Sequence, residues 1–168
     1  MAYTTIPTSD PFVPSPVVPA PATTPSEEER TLAILEAARA ILERGWLQDG
    51  WYRTGPRPLR QRLFGPTPGP DGIDSACLVA AVAVAGHGGG AFTHIDRDSG
   101  PAVDRVWESL QEMKRGHHDA PEGAVAPIVR RARMRELVRW NDTPGRTRSE
   151  VLGVMDRAIS RTILAQMR

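Results

Sequence analysis

Ten consecutive residues, Ala76 to Ala85, carry no charged side chain and only one side-chain heteroatom, the sulfur of Cys77. A helix that is apolar on every side belongs at the centre of a fold, because no orientation on the surface keeps it out of water. The run is far short of the roughly 20 residues that span a bilayer, so it predicts a buried central helix over 75–85, not a membrane anchor. Asp74 or Ser75 supplies its N-cap, and Gly86, Gly88, Gly89 and Gly90 stop it. Alanine and valine dominate the run, which lets neighbouring backbones come close.

A central rod needs amphipathic neighbours, and four segments have the spacing for it. Thr24 with Glu27, and Ser26 with Glu29, offer capping boxes in two registers, and the glutamates of the first turn suit the positive end of a helix dipole. Leu32, Leu35, Ala38, Ile41 and Leu42 then mark one face of a helix over 26–44. Gly45 ends it as a left-handed cap, and Trp46 is placed to fold back on the stripe. Ser99 and Pro101 open a helix running to about 115, with Val103, Val106, Trp107, Leu110 and Met113 inward and Gly116 as its stop. A fourth candidate spans about 123–139, with Pro127 near its first turn and Ile128, Ala132 and Leu137 inward. Thr147, three residues before Glu150, opens the last helix, 148–166, with Val151, Leu152, Met155, Ala158, Ile159, Thr162 and Ile163 at helical spacing.

The expected fold class is therefore all-α, a compact bundle of four to five helices. The helices at 26–44, 101–115 and 148–166 wrap the rod, while the fourth helix and a basic loop lie outside it. Residues 1–25 hold seven prolines, which exclude a helix or a central strand and predict a disordered proline-rich tail. Two PxxP spacings there lack flanking arginines and read as linker. Residues 26–168 are expected to form a single helical domain with a long basic loop at about 46–73. That loop carries Arg53, Arg57, Arg60 and Arg62, with a short extended pair around Trp51 and Leu63.

Twenty-one basic and 20 acidic residues leave a formal charge of +1, too small for a field that gathers nucleic acid or anionic membrane over distance. Binding to either must be local. A single cysteine excludes an internal disulfide and a Cys-rich zinc site. The first basic side chain is Arg30 and no apolar block precedes it, so no secretion signal is read; the expectation is a cytoplasmic protein that does not enter the membrane.

Three groups of residues carry the candidate chemistry. In Trp140 Asn141 Asp142 Thr143 Pro144 Gly145 Arg146 Thr147, polar side chains sit beside a large aromatic. They orient a ligand, or they build the turn itself, with Asn141 and Asp142 accepting backbone N–H bonds and Arg146 pairing with Asp142. Arg131, Arg135 and Arg139 share one helix face at spacing four, a row suited to phosphates or acidic protein patches, or else a solvated face paired with the acids of the first helix. His87, His94 and Asp96, with His117, His118 and Asp119, are zinc-ligand types without the spacing of a zinc motif, so no metal and no cofactor is expected. His87 Gly88 Gly89 Gly90 looks like an oxyanion loop, but no GxSxG nucleophile elbow accompanies it. Cys77, inside the apolar run, reads as core packing.

Leu42 Glu43 Arg44 Gly45 Trp46, then Cys77 in its alanine-rich helix, then Trp140 to Thr147 with Glu150 and Val151, together resemble a small actinobacterial and phage family, domain of unknown function 6197. The resemblance covers residues 26 to 168. It implies a compact helical unit with the Gly-Trp pair and the Trp-Asn-Asp turn as shared landmarks, and it implies no reaction. Relative to that pattern, the loop between Trp46 and Cys77 is longer and richer in proline, and the arginine-rich segment before Trp140 is expanded.

The reading that follows is a non-enzymatic accessory or regulatory protein. It binds a protein or nucleic-acid partner through Trp140, Asn141, Asp142 and Arg146, through Arg131, Arg135 and Arg139, or through the basic loop. The alternative is a small hydrolase-like enzyme in which Asp142, Asn141 and one of His87, His94 or His117 converge on a cleft.

Overall fold

The computed structural model describes residues 24–56, 69–87, 98–116 and 125–167. In chain order these form α1 (Glu27–Arg44), β1 (Tyr52–Thr54), one 3-10 turn (Pro70–Gly72), β2 (Ile73–Ala76), α2 (Leu78–His87), α3 (Gly100–Arg115), α4 (Pro127–Asn141) and α5 (Arg148–Gln166). The fold is mostly helical. The expectations for the tail, for Leu63 and for Arg57, Arg60 and Arg62 fall outside the described residues, apart from Thr24 and Pro25.

Every residue from Leu78 to Val84 is buried, so α2 is the predicted rod. It packs on α1, α3 and α4. Helix α5 lies against α1 and α3 instead, burying Val151, Val154, Met155 and Ala158. The wrapping therefore differs from the prediction: α4, expected outside, is a direct neighbour of the rod, because Leu137 and Trp140 on its inner face join the core. It also begins later and runs further than the predicted 123–139, carrying Trp140 and Asn141 on its last turn.

The rod is shorter at its start than 75–85, since Ile73–Ala76 is a strand. β2 pairs antiparallel with β1, Tyr52 opposite Ala76 and Arg53 opposite Ser75, with an irregularity before Thr54 opposite Ile73. The partner of Trp51's neighbourhood is thus the segment that leads into the rod. Gly45 is extended, with φ −169° and ψ 126°, and is not a left-handed cap. Its carbonyl accepts from Ala76 N–H and the N–H of Leu47 donates to Ala76 O, so the chain passes straight from α1 alongside β2. A Cβ at Gly45 would stand 2.3 Å from the Asp74 carbonyl oxygen, and that close approach is what requires glycine here.

Both terminal capping boxes form. Ser26 and Glu29 make the first, in the later of the two possible registers, and Thr147 and Glu150 make the second. Gly116 closes α3 at φ 81°, where a side chain would be strained. Three predicted inward positions turn out exposed: Met113 at 39 %, Ile128 at 69 % and Ile163 at 40 %. Ala132 is exposed as well. Each lies near a helix end or on α4, whose rotation is set by charge pairs that apolar periodicity does not register.

Candidate functional site

The loop after α1 and the turn between α4 and α5 meet at the N-terminus of α2. Asn141, 0 % exposed, stands at the meeting point. Its Oδ1 accepts from Trp46 Nε1 at 2.8 Å and from the Leu78 backbone N–H at 3.1 Å. Its Nδ2 donates to Leu47 O at 3.0 Å and to Asp142 Oδ1 at 2.7 Å. One buried amide thus ties together three chain segments and satisfies one of the amides that open α2, groups that otherwise lack an intrahelical partner.

The neighbours extend the same lock. Asp142 Oδ1 also accepts from the Asp49 N–H at 3.1 Å, holding Asp49 in its positive-φ conformation at 54°. Gln48 Nε2 donates to the carbonyls of Asn141 and Thr143. Arg146 lies over the Trp140 ring, 4.2 Å from its centroid, donates to Trp140 O, and pairs with Glu150 at 2.9 Å. Arg146 therefore pairs with Glu150 and not with Asp142, because Asp142 turns toward the loop after α1. Hydrogen bonds from Thr147, first its backbone N–H and then its hydroxyl, hold the Glu150 carboxyl below the usual range. The bonds that Asn141 and Asp142 are expected to make within the turn itself are replaced by bonds to residues nearly 100 positions away in sequence.

A second polar cluster lies between α3 and α4. Asp104 and Arg133 are both buried, and Arg133 Nη1 donates to Asp104 Oδ1 at 2.9 Å. Arg130 binds the other carboxylate oxygen through Nε and Nη2, at 2.9 and 2.8 Å. Arg133 also stacks over Trp107 at 4.3 Å, a desolvated cation–π contact. Glu136 accepts from Trp107 Nε1, Gln111 Nε2 and Lys114 Nζ. Burial opposes ionisation of Glu136, yet these three donors hold its carboxyl below the usual range.

This seam sorts the arginines of α4. Arg130 and Arg133 turn inward onto Asp104, while Arg131, Arg135 and Arg139 are exposed on the outer face. At four-residue spacing the outer three rise about 6 Å per step. Among the described residues no hydrogen bond or ion pair engages the guanidinium of Arg135 or Arg139. Ile128, 69 % exposed, lies on the same stripe toward its N-terminal end, with Val129 beside it at 46 %. Asp104 and Glu136 were missed by sequence reasoning. Their signal is an acid among the inward positions of α3, and an acid inside an arginine run on α4.

The residues of the hydrolase-like alternative do not all converge. Asn141 touches the first residue of α2, and His87 is the last, nine residues or about 13 Å along the axis. His87 Nδ1 lies 3.0 Å from Asp98 Oδ2, joining the end of α2 to the start of α3. His94, Asp96, His117, His118 and Asp119 lie outside the described residues. Cys77 is buried just ahead of α2, and burial pushes its thiol above the ordinary range against the pull of the Ala80 and Val79 N–H groups. Among the described residues no group of three His, Cys, Asp or Glu could hold a metal ion, and no helix is long and apolar enough to cross a membrane.

No curated protein and no solved structure matches the chain. A family model does, the family of unknown function DUF6197, over residues 26–161. The Gly45-Trp46 pair, Cys77 and the Trp140–Thr147 turn, which carried the resemblance, all meet around Asn141 inside that span, and the chain belongs to this family.

Proposed function

We infer that this is a non-enzymatic accessory or regulatory protein that binds an anionic protein or nucleic-acid partner through the outer face of α4. The observation that carries the reading is the division of the α4 arginines. The inner pair is bound by buried Asp104, while Arg135 and Arg139, on the same stripe as exposed Arg131, are engaged by no described residue. Guanidinium groups one helical turn apart suit carboxylates or phosphates spaced along an extended partner.

Asn141 and Asp142 favour binding over catalysis. Their side chains are committed to Trp46, Leu47, Leu78 and Asp49, so the turn supports the binding face and Trp140 anchors α4 from beneath. The hydrolase-like alternative has less support, with His87 at the far end of α2.

Anisotropy titrations of labelled duplex DNA, single-stranded RNA and an acidic peptide test the reading. At low salt at least one should bind, and the variant Arg131→Glu/Arg135→Glu/Arg139→Glu should lose that binding while keeping its thermal transition. For a nucleic acid, the slope of log affinity against log salt should fall by about one per phosphate-contacting arginine removed. Absence of binding to all three probes at low salt overturns the proposal.

A further inference from the structure

The strongest complement to the α4 row on this molecule is its own opposite charge. Along α1, Glu29, Ala33, Glu36, Ala40 and Glu43 are all exposed at alternating spacings of four and three, so they form one stripe of acids separated by alanines. That stripe borders an open groove between α1 and α5, lined by Glu36, Arg39, Glu43, Asp156 and Ile159. Three carboxylates there face a single guanidinium, and Arg39 is shared between Glu43 and Asp156. Glu36 is engaged by no described residue. Among the described residues no ion pair joins the acids of α1 to Arg135 or Arg139 of α4 within the chain.

We propose that the partner of the α4 face is a second copy of this chain, whose acid-lined groove between α1 and α5 receives the arginine row. This rests on the reading of α4 as the binding face. The row is a ridge of long side chains and the groove is a recess with alanine gaps, so shape and charge are complementary together. Ile128, at one end of the row, meets apolar ground in Ala33, Ala40 or Ile159. The two surfaces differ, so the contact is heterologous, and assembly proceeds head to tail unless the rotation closes it. A helix face about 16 Å long, from Ile128 to Arg139, buries well under the roughly 1,600 Å² of a standard interface. Association is therefore weak, concentration-dependent and sensitive to salt.

Sedimentation velocity of the full chain tests this between about 20 and 300 mM salt, over which the screening length falls from roughly 20 to 6 Å. Weight-average mass should rise with concentration at low salt, and the association should weaken by about tenfold or more at high salt. Glu36→Arg/Glu43→Arg and Arg135→Glu/Arg139→Glu should each stay monomeric with a wild-type melting transition. Mixing the two variants should restore association, because each then offers the other a complementary surface. A monomer at every concentration and salt overturns the proposal, as does self-association that both reversals leave intact. If the chain is monomeric while the α4 face still binds an acidic peptide or nucleic acid, only the self-partner is refuted and the function above stands.

Discussion

Replacing Asn141 with alanine removes one side chain and strands three groups on two other segments. Leu78 N–H loses its acceptor in a buried position, and in part-buried ones Trp46 Nε1 loses its acceptor and Leu47 O its donor. A buried orphaned group costs about 1–3 kcal/mol, and part-buried ones that water can reach cost about 0.5–1.5 each, so the sum is about 2–6 kcal/mol. That is a large share of the 5–15 kcal/mol typical of a whole domain. For a chain of this size it lowers the melting temperature by about 5–20 °C. Urea denaturation followed by tryptophan fluorescence and by helical circular dichroism measures it. Asn141→Asp is the informative companion. It keeps both acceptor bonds but loses the donor to Leu47 O and sets a carboxylate against Asp142, so it should be destabilised at neutral pH and partly recover as the solution is acidified. A loss below about 1 kcal/mol for Asn141→Ala, with an unchanged denaturant slope, would refute the reasoning.

Other perturbations reach separate parts of the account. Glu136 has a depressed carboxyl pKa, so its stabilising contribution is present above its unfolded value of about 4.3 and lost as pH falls through the folded value. Glu136→Gln should lower the urea midpoint at neutral pH, and the gap to wild type should narrow as the solution is acidified through the folded value; a gap that does not change with pH contradicts the assignment. Gly86→Ala places a Cβ 1.9 Å from Ser99 Oγ, where the start of α3 packs on α2, and should cost about 1–3 kcal/mol in a thermal melt. Thr147→Ala removes the cap of α5 and should cost about 1 kcal/mol. Cys77 should resist a thiol reagent in the native protein and react fully in denaturant, since it is buried and its thiol is pushed up; fast native labelling would place it elsewhere.

Local chemistry made the helices legible in the sequence. Ser26 with Glu29 and Thr147 with Glu150 start α1 and α5 where their capping boxes stand, and the uncharged run over Ala76 to Ala85 could only be interior. The strand Ile73–Ala76 was hidden because its partner, Tyr52–Thr54, contributes pairing and no hydrophobic alternation. The face of α4 was misjudged for a different reason. Ile128 and Ala132 look inward by apolarity, yet Arg133 binding Asp104 sets the helix rotation, and an ion pair across helices leaves no periodicity to read. The row of Arg131, Arg135 and Arg139 was legible because i, i+4 spacing alone fixes a common face. That Asn141 would reach Trp46, Leu47 and Leu78 was not, since all three partners are more than 60 residues away.

The claim that the Trp-Asn-Asp turn locks the start of the central helix is tested most directly by amide exchange at Leu78, followed by NMR in the intact chain. The first amides of a helix ordinarily exchange quickly because no carbonyl within the helix accepts them. Bonded to buried Asn141, Leu78 N–H should instead exchange as slowly as the mid-helix amides of α2, and lose that protection in Asn141→Ala. Rapid exchange at Leu78 in the wild-type chain, alongside slow exchange at Val82, would show that the lock does not exist.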